Sequence, residues 1–124
     1  MGSPTKNQRP PDTVIKSRMV EAFREYPIIP SLRREEQLPA MRDCRSRVVL
    51  ISSGSIFNIC EYVQQLHQRN KTVLVHIDLI AGLGRDQTAV RFLKQTARVD
   101  GIVTPHCQVI IAGRREGLLT VHRL

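Results

Sequence analysis

Apolar residues along the chain follow two alternating spacings. Short unbroken runs such as Val48 to Ser52, Thr72 to Leu79 and Ile102 to Thr104 are separated by stretches where apolar residues recur every three or four positions. The runs read as strands buried on both faces, the periodic stretches as amphipathic helices. The pattern predicts a helix over Val14 to Phe23, with Val14, Met19, Val20 and Phe23 as its apolar positions and Pro27 blocking its continuation. A first strand, Pro27 to Leu32, is followed by a helix over Arg34 to Asp43, weakened by Pro39 inside it. Val48 to Ser52 is the second strand, with a turn at Ser53-Gly54-Ser55. Phe57 to Gln68 is a helix through Ile59, Val63 and Leu66. Thr72 to Leu79 is the third strand, Asp86 to Ala97 a helix with Asp86 near its N-cap, and Asp100 to Thr104 the fourth strand. Val109 to Arg115 is a short helix stopped by Gly117, and Gly117 to Leu124 begins a fifth strand.

Strands and helices in alternation are the rhythm of a parallel sheet, doubly wound or closed into a (β/α) barrel. The expected fold is α/β: a partial, TIM-barrel-like (β/α) repeat of about five parallel strands with covering helices. It forms a single domain over residues 13–124, preceded by a disordered arm at residues 1–12, MGSPTKNQRPPD. A complete barrel has about eight strands, so the chain is expected to stop inside its fifth.

Composition narrows the function. Hydrophobic residues make up 41% of the 124, enough for one folded domain and against disorder. No apolar run reaches the roughly 20 residues that cross a bilayer, so no membrane partner is expected. The first residues lack the apolar core of a secretory signal. Cys44, Cys60 and Cys107 are odd in number and widely spaced, as expected of reduced thiols in a cytoplasmic protein. The net charge is +8, and only four of the nineteen basic residues are lysines. Arginine grips phosphate through a planar fork, so this bias favours nucleic acid or another phosphate-rich partner. Residues 85–124, with seven basic and three acidic side chains, are the most positive part.

The third strand carries the candidate chemistry. Alternation along a strand puts His76 and Asp78 on one side and Val75, Ile77 and Leu79 on the other. Polar residues at the C-terminal end of a parallel strand stand where α/β folds hold ligands, and in an apolar interior they are costly unless satisfied. Asp78 either orients the His76 ring or caps the following turn. Arg33 after the first strand and Arg123 near the end of the fifth would face the same mouth and could hold a phosphate. Arg34, Arg114 and Arg115 are candidate RNA contacts. His76 and Asp78 alone do not make a metal site, and His106 and His122 cannot be assigned a direction. Gly82-Leu83-Gly84-Arg85 is a lone G-x-G and a weak phosphate-loop signal. Aromatic residues, 4% of the chain, are not interleaved with the basic ones, which favours backbone or shape recognition over base stacking.

Four segments resemble a known family. Pro27-Ile28-Ile29-Pro30-Ser31-Leu32-Arg33 looks like the opening strand of the glycerol uptake operon antiterminators. Val75-His76-Ile77-Asp78-Leu79-Ile80-Ala81-Gly82-Leu83, with Asp86 and Ala89-Val90-Arg91-Phe92-Leu93 behind it, is similar to their central motif. Asp100-Gly101-Ile102-Val103-Thr104 and Gly117-Leu118-Leu119-Thr120-Val121-His122-Arg123-Leu124 resemble the strands that follow. The resemblance implies a cytoplasmic, non-catalytic regulator without cofactor. It would sense glycerol 3-phosphate and bind the leader mRNA of glycerol operons to control transcription. Three departures accompany it: an N-terminal extension of about 25 residues, a less acidic Ser52-Ser53-Gly54-Ser55, and the expected absence of the last three strands with the family's phosphate-binding glycines.

Two other readings stand beside this one. In the first, a barrel enzyme acts on a sugar or polyol phosphate with His76 and Asp78 as an acid/base pair. In the second, the chain is a non-functional fragment that folds by pairing its open sheet edge with a second copy, as a homo-oligomer.

Overall fold

A computed structural model describes residues 12–123, so all of the expected N-terminal arm except Asp12, and also Leu124, lie outside the described residues. Five parallel strands form one sheet in the order β1 (Ser31–Leu32), β2 (Val48–Ile51), β3 (Thr72–His76), β4 (Gly101–Thr104) and β5 (Leu119–His122). Each strand pairs with its neighbours in sequence, so the sheet is singly wound. That order belongs to the wall of a (β/α) barrel and not to a doubly wound sheet, whose strand order reverses.

The apolar runs form strands because both of their faces are covered. On the outer face Val49, Ile51, Val73, Val75 and Ile102 are fully buried under helices. These are α2 (Leu38–Asp43), α3 (Ile59–His67), α4 (Gln87–Phe92) and α5 (Cys107–Arg115), which supply Leu38, Leu66, Val90 and Val109 to the same core. Each such side chain taken from water stabilises the fold by about 1.5–3 kcal/mol. Pro39 does not break its helix. It stands in the first turn of α2, where its missing N–H would have no partner anyway. A 3-10 turn, Glu35–Gln37, replaces the start of the helix expected from Arg34. The expected N-cap at Asp86 is present, its Oδ1 accepting the Ala89 N–H at 2.9 Å. Past α4 the expected helix continues as a π-turn, Leu93–Ala97.

The inner face is covered differently. The helix α1 (Asp12–Glu25) lies against it, joining Ala22 and Met19 to Val48, Leu74 and Val103. Ile15, Met19 and Ala22 fall on one stripe, and Ile15 and Ala22 are buried. Of the apolar positions expected on this helix, Met19 packs on the sheet, while Val14 and Val20 are exposed and the Phe23 side chain lies outside the described residues. The periodicity holds for either stripe, and contact with the sheet selects the face. The first strand is likewise shorter than expected, beginning at Ser31.

Gly101 sets the spacing of the inner face. It is paired in register with Leu74 on one side and Leu119 on the other. A Cβ there would lie 2.7 Å from Leu74 Cδ2 and 2.9 Å from both Leu119 Cβ and the Leu119 carbonyl oxygen. Gly113 on α5 is also tight, but its neighbours at 2.8 Å are the side-chain ends of Ile102 and Thr120. At the N-terminal edge of the sheet, the buried Asp100 carboxylate accepts the Val73 N–H at 2.7 Å and pairs with His67 at 2.9 Å. The amine of Lys71 there donates to the carbonyls of Cys44 and Ser46.

Gly101→Ala should lose about 1–3 kcal/mol of stability, because the backbone carbonyl of Leu119 cannot turn aside. Gly113→Ala should lose less. Urea unfolding of the two variants checks this, and a Gly101→Ala midpoint equal to that of the unaltered chain would contradict it.

Candidate functional site

The strands end together, and their C-terminal tips leave a cleft of about 530 Å³ on the inner face, next to the part that α1 covers. Ser31 borders it from β1 and His76 from β3, while Arg33, Ser52 and Arg123 border it from one residue past β1, β2 and β5. Leu50, Leu79 and Val103 supply its apolar wall. None of these residues is acidic and two are arginines, so the cleft favours an anion. The Ser31 and Ser52 hydroxyls are hydrogen-bonded to each other at 2.5 Å.

Arg123 reaches the site because its backbone extends the ladder of the sheet, its N–H bonding the Thr104 carbonyl at 2.9 Å. Its guanidinium donates to His76 Nε2 at 3.2 Å. Guanidinium has no acceptor atom, so Nε2 must be the unprotonated nitrogen, and the neutral ring carries its proton on Nδ1. His76 is 5% exposed, and its Nδ1 has no hydrogen-bond partner on another described residue. Burial pushes the His76 pKa below the usual imidazole value. Arg123 pushes it the same way, while the Asp78 carboxylate and the backbone carbonyl of His76 pull it up.

Asp78 is not where alternation along a strand would put it. β3 ends at His76, and Ile77–Leu79 forms a 3-10 turn closed by the Ile80 N–H on the Ile77 carbonyl. Ile77 stays in the outer core with Val75, as expected, but the change of period turns Leu79 to the cleft, against the expectation that it shares their side. Asp78 pairs with His106 Nε2 at 3.2 Å and lies 4.0 Å from Arg85, and no hydrogen bond joins it to His76. Its influence on His76 is through its charge, and no hydrogen bond from it orients the ring. His106 Nε2 also lies 2.8 Å from Arg85 Nη1. One nitrogen cannot donate to the carboxylate and accept from the guanidinium, so the position of a single proton decides which bond forms. Sequence reasoning could not place His106, because the turn after Pro105 hides its direction.

The structure thus brings together His76, Arg33 and Arg123 and puts Asp78 in a neighbouring cluster. Arg34 is exposed beside Arg33, and both backbone N–H groups bond the Gln37 side-chain oxygen. Arg114 and Arg115 are not part of this assembly. They lie in the last turn of α5, which runs back from the strand tips, and so stand at the opposite end of the sheet. Gly82 of the G-x-G has φ +82 and packs against Ile56, a turn role and not a phosphate cradle. Among the described residues no cluster of three or more metal-binding side chains occurs, and no helix is long and apolar enough to cross a membrane.

Comparison with known proteins agrees with the fold. The chain is 26% identical over 106 residues to the uncharacterized protein YgcP of Escherichia coli K12, covering 86% of this chain and 56% of that one. Its fold is similar to the glycerol uptake operon antiterminator regulatory protein of Listeria monocytogenes, with a TM-score of 0.74 at 23% identity, over 77% of this chain and 52% of that one. It is also similar to a glycerol uptake operon antiterminator-related protein of Thermotoga maritima, with a TM-score of 0.69 at 28% identity, over 77% and 53%. The chain therefore spans about half the length of these relatives, and its partial (β/α) barrel resembles the matched half of the two solved structures. α1 lies outside the segment that matches the family. That segment, residues 28–124, is most of the chain, and by it this protein belongs to the glycerol-3-phosphate responsive antiterminator family.

Proposed function

We propose that this chain is a cytoplasmic regulator of glycerol uptake that binds glycerol 3-phosphate at the strand-tip cleft and acts on the leader mRNA of glycerol operons. The observation that carries the reading is the cleft itself, lined by Arg33, Arg123 and a neutral His76 with no carboxylate among the lining residues. A phosphate dianion would meet two guanidinium groups there. The Nδ1–H of His76, buried and without another partner, suits an oxygen acceptor, since such a donor left alone costs about 1–3 kcal/mol. The Ser31 and Ser52 hydroxyls suit the polyol hydroxyls. The exposed Arg33, Arg34 and Arg85 at the same end, with the net charge of +8, support contact with the RNA backbone. The separation of Asp78 from His76 favours binding over acid/base catalysis.

Calorimetric unfolding with and without glycerol 3-phosphate tests the effector. Ligand at one hundred times its dissociation constant should raise stability by about 2.7 kcal/mol, and glycerol alone should not reproduce the shift. Arg123→Ala should weaken binding on the order of 10–100-fold, the loss of one charge-assisted hydrogen bond. An unfolding curve that ignores glycerol 3-phosphate would remove the cleft as the effector site.

His76 gives a second, independent readout. With its pKa lowered in the folded state, the unfolded ring takes up a proton first as pH falls. The stability that the neutral ring contributes is therefore present above about pH 6.5 and is lost as pH drops from there toward the folded pKa. In ring-proton NMR titrations Arg123→Ala should raise the His76 pKa and Asp78→Asn should lower it. The opposite order would refute the field assigned to these two neighbours.

A further inference from the structure

Phe57 is 93% exposed, on a loop whose backbone is held by hydrogen bonds. The turn after β2 is held by the Phe57 N–H on Ser55 Oγ (3.1 Å) and the Ser55 N–H on Asn58 Oδ1 (2.8 Å). It is tied to the loop after β3 by the Ile56 N–H on the Ala81 carbonyl and the Ala81 N–H on the Gly54 carbonyl. Ile56 packs on Gly82 and completes the clamp. A fully solvated phenyl ring contributes nothing to the core, while the backbone that carries it is hydrogen-bonded on both sides.

The neighbours of this ring are set by topology. β2 lies between β1 and β3, so the Phe57 loop lies between the loop carrying Arg33 and Arg34 and the loop carrying Arg85. All three arginines are exposed. Glu35, on the first of these loops, accepts the hydroxyl of Tyr62 at 3.1 Å. An exposed aromatic ring on a loop between two loops that carry exposed arginines matches a strand of nucleic acid with accessible bases: phosphates to the arginines, a base to the ring.

We propose that Phe57 is a stacking platform for an unpaired base of RNA. This rests on the RNA-binding reading above and adds that the RNA is engaged in single-stranded form.

The chain has no tryptophan, so Phe57→Trp installs a single emission probe. The variant, as the full chain, is titrated with oligoadenylate, oligouridylate, the duplex of the two, and heparin as a polyanion without bases. Quenching by the single strands but not by heparin is expected. Phe57→Ala should bind the single strands roughly 5- to 150-fold more weakly with heparin affinity unchanged, and Phe57→Tyr should restore binding. RNA binding of unaltered strength by Phe57→Ala would overturn the stacking role and leave the RNA reading standing. Failure of the unaltered chain to bind any of these RNAs would overturn both. A Phe57→Ala chain whose light-scattering mass falls while its RNA affinity holds would assign the ring to a contact with a second copy instead.

Discussion

The register of the three C-terminal strands is the constraint on which the cleft depends. Leu74, Gly101 and Leu119 stand side by side across β3, β4 and β5, and only a residue without a Cβ fits between the two leucines. With that row fixed, His76 falls opposite Val103, and the ladder carries Arg123 beyond Thr104 to within 3.2 Å of the His76 ring. A slip of one residue would exchange the faces of β5 and take Arg123 away from the ring. The chemistry of the tips is thus governed by packing two residues below them.

The cleft also explains why a buried imidazole beside an arginine is tolerable. A protonated His76 would face both desolvation and a guanidinium, so the neutral ring is the stable form and serves Arg123 as an acceptor. Asp78 opposes this from outside the cleft, while its own oxygens are directed to His106 and Arg85. Two adjacent polar groups are kept chemically separate by one 3-10 turn.

Most of the architecture could be read from the chain, because a strand covered on both faces leaves an unmistakable apolar run and the helices between keep their period. The prominence of His76, Arg33 and Arg123 followed from the positions of strand ends. What escaped depended on tertiary contact. The stripe of α1 was chosen by the inner face of the sheet, which no local pattern records. Asp78 and Leu79 were misplaced because Ile77–Leu79 is apolar enough to read as strand but closes as a turn. The mixing of aromatic and basic groups around Phe57 is a matter of neighbouring loops and is invisible along the sequence.

Because every strand pairs only with those before and after it, the sheet can be laid down in the order of synthesis. Each β-strand and helix that leaves the ribosome finds its template already formed by the unit before it, with little search through distant pairings. α1, made before the sheet, must wait for a surface, since Val48, Leu74 and Val103 lie on the second, third and fourth strands after it. The outer edge of β5 is accordingly the same kind of surface that β2, β3 and β4 each offered in turn to the strand that followed.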